Sequence, residues 1–109
     1  MKHVNLIEGV PGTTVHLTST DVEQYIPVAV YRSGDIPAIY LFLQCQEENI
    51  RFAYNVVPTG AVGYIFYAGA TMTLKNGRTV REFRFISAAA QTPGDLVVTP
   101  FFEIGSVNL

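Results

Sequence analysis

Apolar and polar residues alternate along this chain with the two-residue period of strands rather than the longer period of helices. Val4, Leu6 and Glu8 begin a weak alternation that stops at Pro11-Gly12, and Thr13 to Thr18 alternates around Val15 and Leu17. Val28 to Tyr31 is β-branched and aromatic, which predicts a strand closed by Ser33-Gly34-Asp35. The run from Ala38 to Cys45 is almost continuously apolar and predicts a central strand covered on both faces. After the polar turn Glu47-Glu48-Asn49, Ile50, Phe52 and Tyr54 share one strand face, with Arg51 and Ala53 on the other. Pro58-Thr59-Gly60 marks a loop, and Tyr64 to Tyr67 is a short aromatic strand stopped by Ala68-Gly69. A final strand is expected from Leu96 to Ile104, where Pro100 indicates an edge position or an irregularity.

Turn and helix signals complete the pattern. Thr20-Asp21-Val22-Glu23 has the composition of a helix start, capped by Thr20 or Asp21, but Pro27 limits it to a turn. Asn76-Gly77 lies between Thr71 to Leu74 and Thr79 to Phe83 and predicts a two-residue hairpin, since both residues tolerate positive φ. That register sets Leu74 against Thr79 and Met72 against Arg81, which leaves Arg81 as a charge on an apolar face. Ser87-Ala88-Ala89-Ala90-Gln91 offers one further helical turn, ended by Thr92-Pro93-Gly94.

These segments amount to roughly eight or nine short strands and no long helix, an all-β chain. The expected architecture is a single antiparallel β-sandwich, jelly-roll-like, spanning residues 1–109 as one domain. Residues 1–10 are expected as an extended N-terminal arm. There is no internal repeat, low-complexity tract or linker.

Composition changes the picture in one respect. Charged residues are 15% of the chain, against about 25% in ordinary soluble domains, while 49% are apolar. Mean hydropathy is +0.26. A domain of 109 residues has a high ratio of surface to volume and cannot bury that much apolar side chain alone. The low charge favours an exposed apolar patch that meets another protein over a surface rich in uncharged polar groups. Other classes recede. A net charge of −2 gives no electrostatic footprint for nucleic acid. The longest apolar stretch, Ala38 to Leu43, is too short to span a bilayer as a helix. One cysteine, Cys45, excludes an intramolecular disulfide, and Glu8 and Pro11 precede any apolar run, so no secretory signal is expected.

Candidate chemistry is sparse, and no catalytic, cofactor-binding or metal-binding residue is assigned. Cys45 ends an apolar strand and reads as a small core residue rather than a thiolate nucleophile. His3 and His16 lie in no recognisable motif, and one cysteine with two separated histidines does not fill a zinc site. Glu47 and Glu48 are adjacent and point apart in extended backbone, unlike an acid–base pair. Gly60 and Gly63 precede no helix that would cradle phosphate. Arg51, Arg81 and Arg84 are interleaved with Phe52, Tyr54 and Phe83, but acidic residues outnumber basic ones, so they are candidates for protein rather than nucleic-acid contact. Tyr64 and Tyr67 join them, because fewer core positions claim them than claim Phe42, Phe52, Phe83 and Phe85. Six tyrosines could also build a stacking platform for a carbohydrate, although the chain lacks tryptophan.

The order of elements from Gln44 to Thr99 resembles a loose group of small tailed-bacteriophage virion structural proteins, of capsid decoration or cement type. The Ile-Arg-aromatic strand of that group is Ile50-Arg51-Phe52 here, after the polar Glu48-Asn49. The Pro-Thr loop is Pro58-Thr59, with Gly60 and Gly63 nearby. The Ala-Gly turn is Ala68-Gly69, followed by Met72 to Leu74. The Phe-Arg-x-Ile element is Phe83-Arg84-Phe85-Ile86, and the closing strand is Leu96-Val97-Val98-Thr99. The chain departs from the group at Asn55-Val56-Val57, where a Gly- or Asp-containing turn is usual, and at Asn76-Gly77. The resemblance implies a non-enzymatic structural protein, made in the host cytoplasm and located in the virion. It would form a homo-oligomer, a dimer or a trimer, and bind major capsid or tail subunits, with no cofactor, nucleic acid or membrane. A tail or head–tail junction protein is the alternative, and a carbohydrate-binding module of an adhesin is a further one.

Overall fold

A computed structural model of the chain describes residues 9–59, 61–75, 77–89 and 92–103. The chain is all-β and antiparallel, and two sheets share one core. Eleven strands occur among the described residues, more than expected because four are only two residues long. The expected arm at residues 1–10 lies almost wholly outside the described residues, as do Gly60, Asn76, Ala90, Gln91 and Ile104.

In the first sheet β11 (Asp95–Phe102) is central. One side of it pairs with β6 (Tyr40–Gln46), which pairs in turn with β9 (Thr71–Leu74). The other side carries β1 (Val10–Pro11) and β2 (Val15–Thr18) in succession. The second sheet runs β3 (Gln24–Tyr25), β10 (Phe83–Ser87), β7 (Ile50–Tyr54), β8 (Tyr64–Phe66). A small third sheet joins β4 (Arg32–Ser33) to β5 (Ile36–Pro37).

Alternation explains how the sheets meet. Leu41, Leu43 and Cys45 of β6, Leu74 of β9, and Leu96 and Val98 of β11 point inward from the first sheet. Ile50, Phe52, Phe66, Phe83 and Phe85 answer them from the second, and all belong to one hydrophobic cluster. Phe83 and Phe85 are completely buried, each worth about 1.5–3 kcal/mol relative to exposure.

Several expectations are corrected. The strand expected from Thr79 to Phe83 as the second arm of a hairpin does not form. Gly77–Glu82 is a short helix, α2, which follows β9 in the first sheet and leads into β10 in the second. Leu74 therefore pairs with Leu41 and Met72 with Leu43, while Phe83 pairs with Tyr54. Val80 fills the core between the sheets, which favours a helical crossing over a turn. Arg81 consequently sits exposed on α2 rather than on an apolar strand face.

Val28–Tyr31 forms one helical turn, α1, rather than a strand; Pro27 precedes it and Val30 N–H bonds back to Pro27 O at 2.9 Å. A two-residue hairpin does occur just beyond it, between β4 and β5, with Gly34 at φ +62° as its first central residue. Thr20 to Glu23 is not helical. Thr20 Oγ1 instead accepts Val22 N–H at 3.1 Å, and the Gln24 side chain accepts Thr20 N–H. Ala88 and Ala89 form a bend rather than a helical turn.

β6 is central, but one of its faces is open, since Phe42 is 42% exposed. β11 is not an edge strand. Pro100 instead marks an irregularity, where partner strands β2 and β1 hand over and Gly12 N–H reaches Pro100 O at 2.7 Å.

Candidate protein-contact surface

The candidate residues fall mostly on the second sheet, on two different faces. Strand register puts Arg84 beside Ala53 and Tyr25, and Arg51 beside Ile86 and Ile65, so both arginines occupy the sheet's outer face. Tyr64 stands opposite Phe52, on the inner-facing row, at the rim where β8 ends the sheet. Tyr67 follows β8 directly. Arg81 lies apart, on α2.

Their environments differ. Arg84 is engaged within its own fold. Its Nη1 lies 3.0 Å from Glu23 Oε2, and its guanidinium sits 5.0 Å from the centre of the Tyr25 ring. Glu23 Oε2 and Arg84 Nε nevertheless make no aligned hydrogen bond, so the contact is one of charge and stacking rather than a two-pronged pair. Tyr64 and Tyr67 are each 63% exposed. Tyr64 rests on Phe52 at a centroid distance of 5.5 Å, and Phe52 stacks on Phe83 at 5.3 Å. An aromatic row thus runs from the core to the surface, and Tyr54 joins it edge-on to Phe52. Burial, together with the neighbouring Tyr64, pushes the Tyr54 phenol up.

Residues 55–63, between β7 and β8, extend this exposed ground. Asn55, at φ +66°, donates from Nδ2 to Glu82 Oε1 at 3.0 Å and from its N–H to Glu82 O. Pro58 is buried, and Thr59 Oγ1 accepts the N–H groups of Ala61 and Val62, both at 3.1 Å. Gly63 stands at φ +122°, where an added Cβ would meet Phe52 O at 2.7 Å. Val56, Val57 and Val62 are held out toward solvent, and Val56 and Val62 line a shallow depression with Tyr54, Ala61 and Tyr64.

The sequence singles out Tyr64 and Tyr67 as candidates, and the structure adds Tyr54 and the three valines as exposed neighbours. A signal was available: residues 52–74 contain no Asp, Glu, Lys, Arg or His. In a chain this poor in charge, the exposed part of such an interval is where an apolar patch belongs.

Elsewhere the chemistry is modest. Cys45 is buried, its Sγ donates to Glu48 O at 3.2 Å, and burial pushes the thiol up. His16 Nδ1 lies 3.6 Å from Asp95 Oδ2 on the exposed side of β2, and His3 is outside the described residues. Among the described residues no three His, Cys, Asp or Glu side chains are grouped to hold a metal ion, and no helix is long and apolar enough to cross a membrane. Compared with known proteins, the chain matches no family model, no curated protein and no solved structure.

Proposed function

We propose that this chain is a non-enzymatic structural protein of a tailed-phage particle, a capsid decoration or cement protein that binds the assembled shell and stabilises it. The observation that carries the reading is the exposed, uncharged set Tyr54, Val56, Val57, Val62, Tyr64 and Tyr67. Apolar surface kept in water by a well-anchored loop is costly to a free protein and useful to a bound one. Binding to assembled subunits in preference to free ones then stabilises the particle by mass action.

The finer architecture belongs to the same proposal: a jelly-roll-like β-sandwich. Strand pairing supports it. β2 pairs with β11, β3 with β10, β6 with β9 and β7 with β8, the pairings of one long antiparallel ribbon. Folding that ribbon over itself gives the orders β2-β11-β6-β9 and β3-β10-β7-β8. Double-sheet jelly rolls of this kind serve viral shells and also lectins, so architecture alone does not choose between those uses. The surface favours the shell: the depression beside Tyr64 lacks the charged and amide side chains that would orient a sugar.

Pelleting the purified chain with mature capsids tests the proposal. Saturation at a fixed ratio to the major capsid subunit is expected. Binding confined to a few copies at the tail vertex would replace the cement reading with a tail or head–tail junction role. No pelleting with any particle fraction would overturn both.

A further inference from the structure

Resting on that reading of the surface as a protein-contact face, one occupant of its β8 side can be named. We propose that β8 is the edge through which two copies of this chain pair, antiparallel about a two-fold axis at Ile65. The two four-stranded sheets then join into one of eight strands.

The edges of the two sheets are guarded unequally. An exposed edge presents unpaired backbone N–H and C=O groups and is normally blunted by a charge, a proline or a covering element. The opposite edge of the same sheet, β3, is flanked by Glu23 and Pro27, and β9 in the other sheet runs directly into Lys75. Among the described residues β8 has β7 on one side only. Its residues Tyr64-Ile65-Phe66 include neither charge nor proline, and nor does any residue from Thr59 to Leu74.

Charge then selects the partner. A two-fold contact sets a patch against its own copy, so any net charge on the patch repels itself. This patch has none. Ile65 lies on the outer face, where the axis brings it against Ile65 of the second copy, while Tyr64 meets the row of Phe66. Arg51, the nearest charge in register, sits one strand back. The two Arg51 side chains are thus separated by three strand spacings, roughly 14 Å, beyond the Debye length at physiological salt.

Area sets the strength. The exposed fractions of Val62, Tyr64 and Tyr67, on or next to β8, amount to on the order of 350 Å² per copy, or about 700 Å² for the pair, in the range of weak, transient contacts, and leave Tyr54, Val56 and Val57 open. Three strand residues add few backbone bonds. The dimer is therefore weak in solution, with a dissociation constant in the micromolar range.

Sedimentation velocity of the full chain across micromolar to submillimolar concentrations tests this, using Ile65→Glu and Ile65→Lys as variants. The wild type should pass from monomer to dimer. Each variant, checked for folding by circular dichroism, should dimerise at least about tenfold more weakly, because like charges face each other across the axis. An equimolar mixture of the two variants should dimerise again. A wild type monomeric throughout, or a dimer that both variants leave unchanged, would overturn the pairing. Capsid pelleting separates this outcome from the parent reading. A monomer that saturates capsids removes the β8 dimer and keeps the cement role, whereas a charge-sensitive dimer that ignores capsids does the reverse.

Discussion

Ser19 Oγ and Ser87 Oγ lie 2.8 Å apart in the interior and tie the two sheets together. Ser19 follows β2 of the first sheet, and Ser87 ends β10 of the second. Ser19 Oγ also accepts Gly94 N–H at 2.8 Å, Ser19 N–H reaches Gly94 O, and Ser87 N–H reaches Thr20 O. Both side chains are buried, so each bond lost leaves a polar group without water. Ser19→Ala strands the Gly94 N–H and the Ser87 hydroxyl, and should cost about 1–3 kcal/mol by urea unfolding. Ser87→Ala should cost less, because Ser19 keeps its bond to Gly94. Equal effects, or none, would contradict this account of the junction.

Gly94 is required by space. A Cβ there would collide with Glu48 O, a backbone atom with little room to yield. Gly94→Ala should therefore destabilise by about 3 kcal/mol or more, at the upper end of overpacking. Gly34→Ala is the informative contrast. Gly34 has φ +62° but meets nothing within 4 Å, so its cost should be only about 1–2 kcal/mol of backbone strain. Thermal or chemical melts of the two variants decide the ranking.

The Arg84–Glu23 contact predicts an asymmetry. Both side chains are about three-quarters covered, so removing one partner leaves a poorly solvated charge. Glu23→Gln alone should cost about 1–2 kcal/mol, and a double-mutant cycle with Arg84→Met should show coupling of similar size. Strictly additive losses would mean that the pair does not interact.

Alkaline pH should weaken the fold through Cys45 and Tyr54. Burial raises both in the native state above their ordinary values. The unfolded chain therefore loses these protons first as pH rises, and stability falls where the native state binds more protons. The contribution is intact below the ordinary thiol value of about 8.5 and declines above it, with the phenol following from about pH 10. Cys45→Ala should flatten the decline in urea midpoint between about pH 8 and 10 relative to the wild type. Identical slopes would remove the thiol from the account.

Much of the strand content was legible because alternation is local. Val15 and Leu17, Ile50 and Phe52, and the aromatic β8 are where their two-residue period places them. Partnership was less legible. Asn76-Gly77 has the chemistry of a tight hairpin, but Leu74 belongs with Leu41 and Phe83 with Tyr54, in different sheets. No local pattern states which sheet a strand joins, and the burial of Val80 decided for a helix. Val28 to Tyr31 carried strand composition that tertiary context overrode. At the candidate surface Tyr64 was legible as a strand residue with a polar tip. Val56, Val57 and Val62 were not, since β-branched residues ordinarily point inward and only the anchored loop holds them out. No local pattern pairs Arg84 with Glu23, because the two are distant along the chain.

The surface that the particle is expected to bind is the uncharged ground of Tyr54, Val56 and Val57, which the β8 pairing leaves open. The direct measurement is capsid pelleting of Val56→Glu and Val57→Asp beside the wild type, with Asp35→Lys in the β4–β5 turn as a control. The account predicts that the two patch variants keep their melting temperatures and lose capsid binding by at least about tenfold, since each buries an unpaired charge at the contact, while the control binds as the wild type does. Folded patch variants that saturate capsids as the wild type does would contradict it.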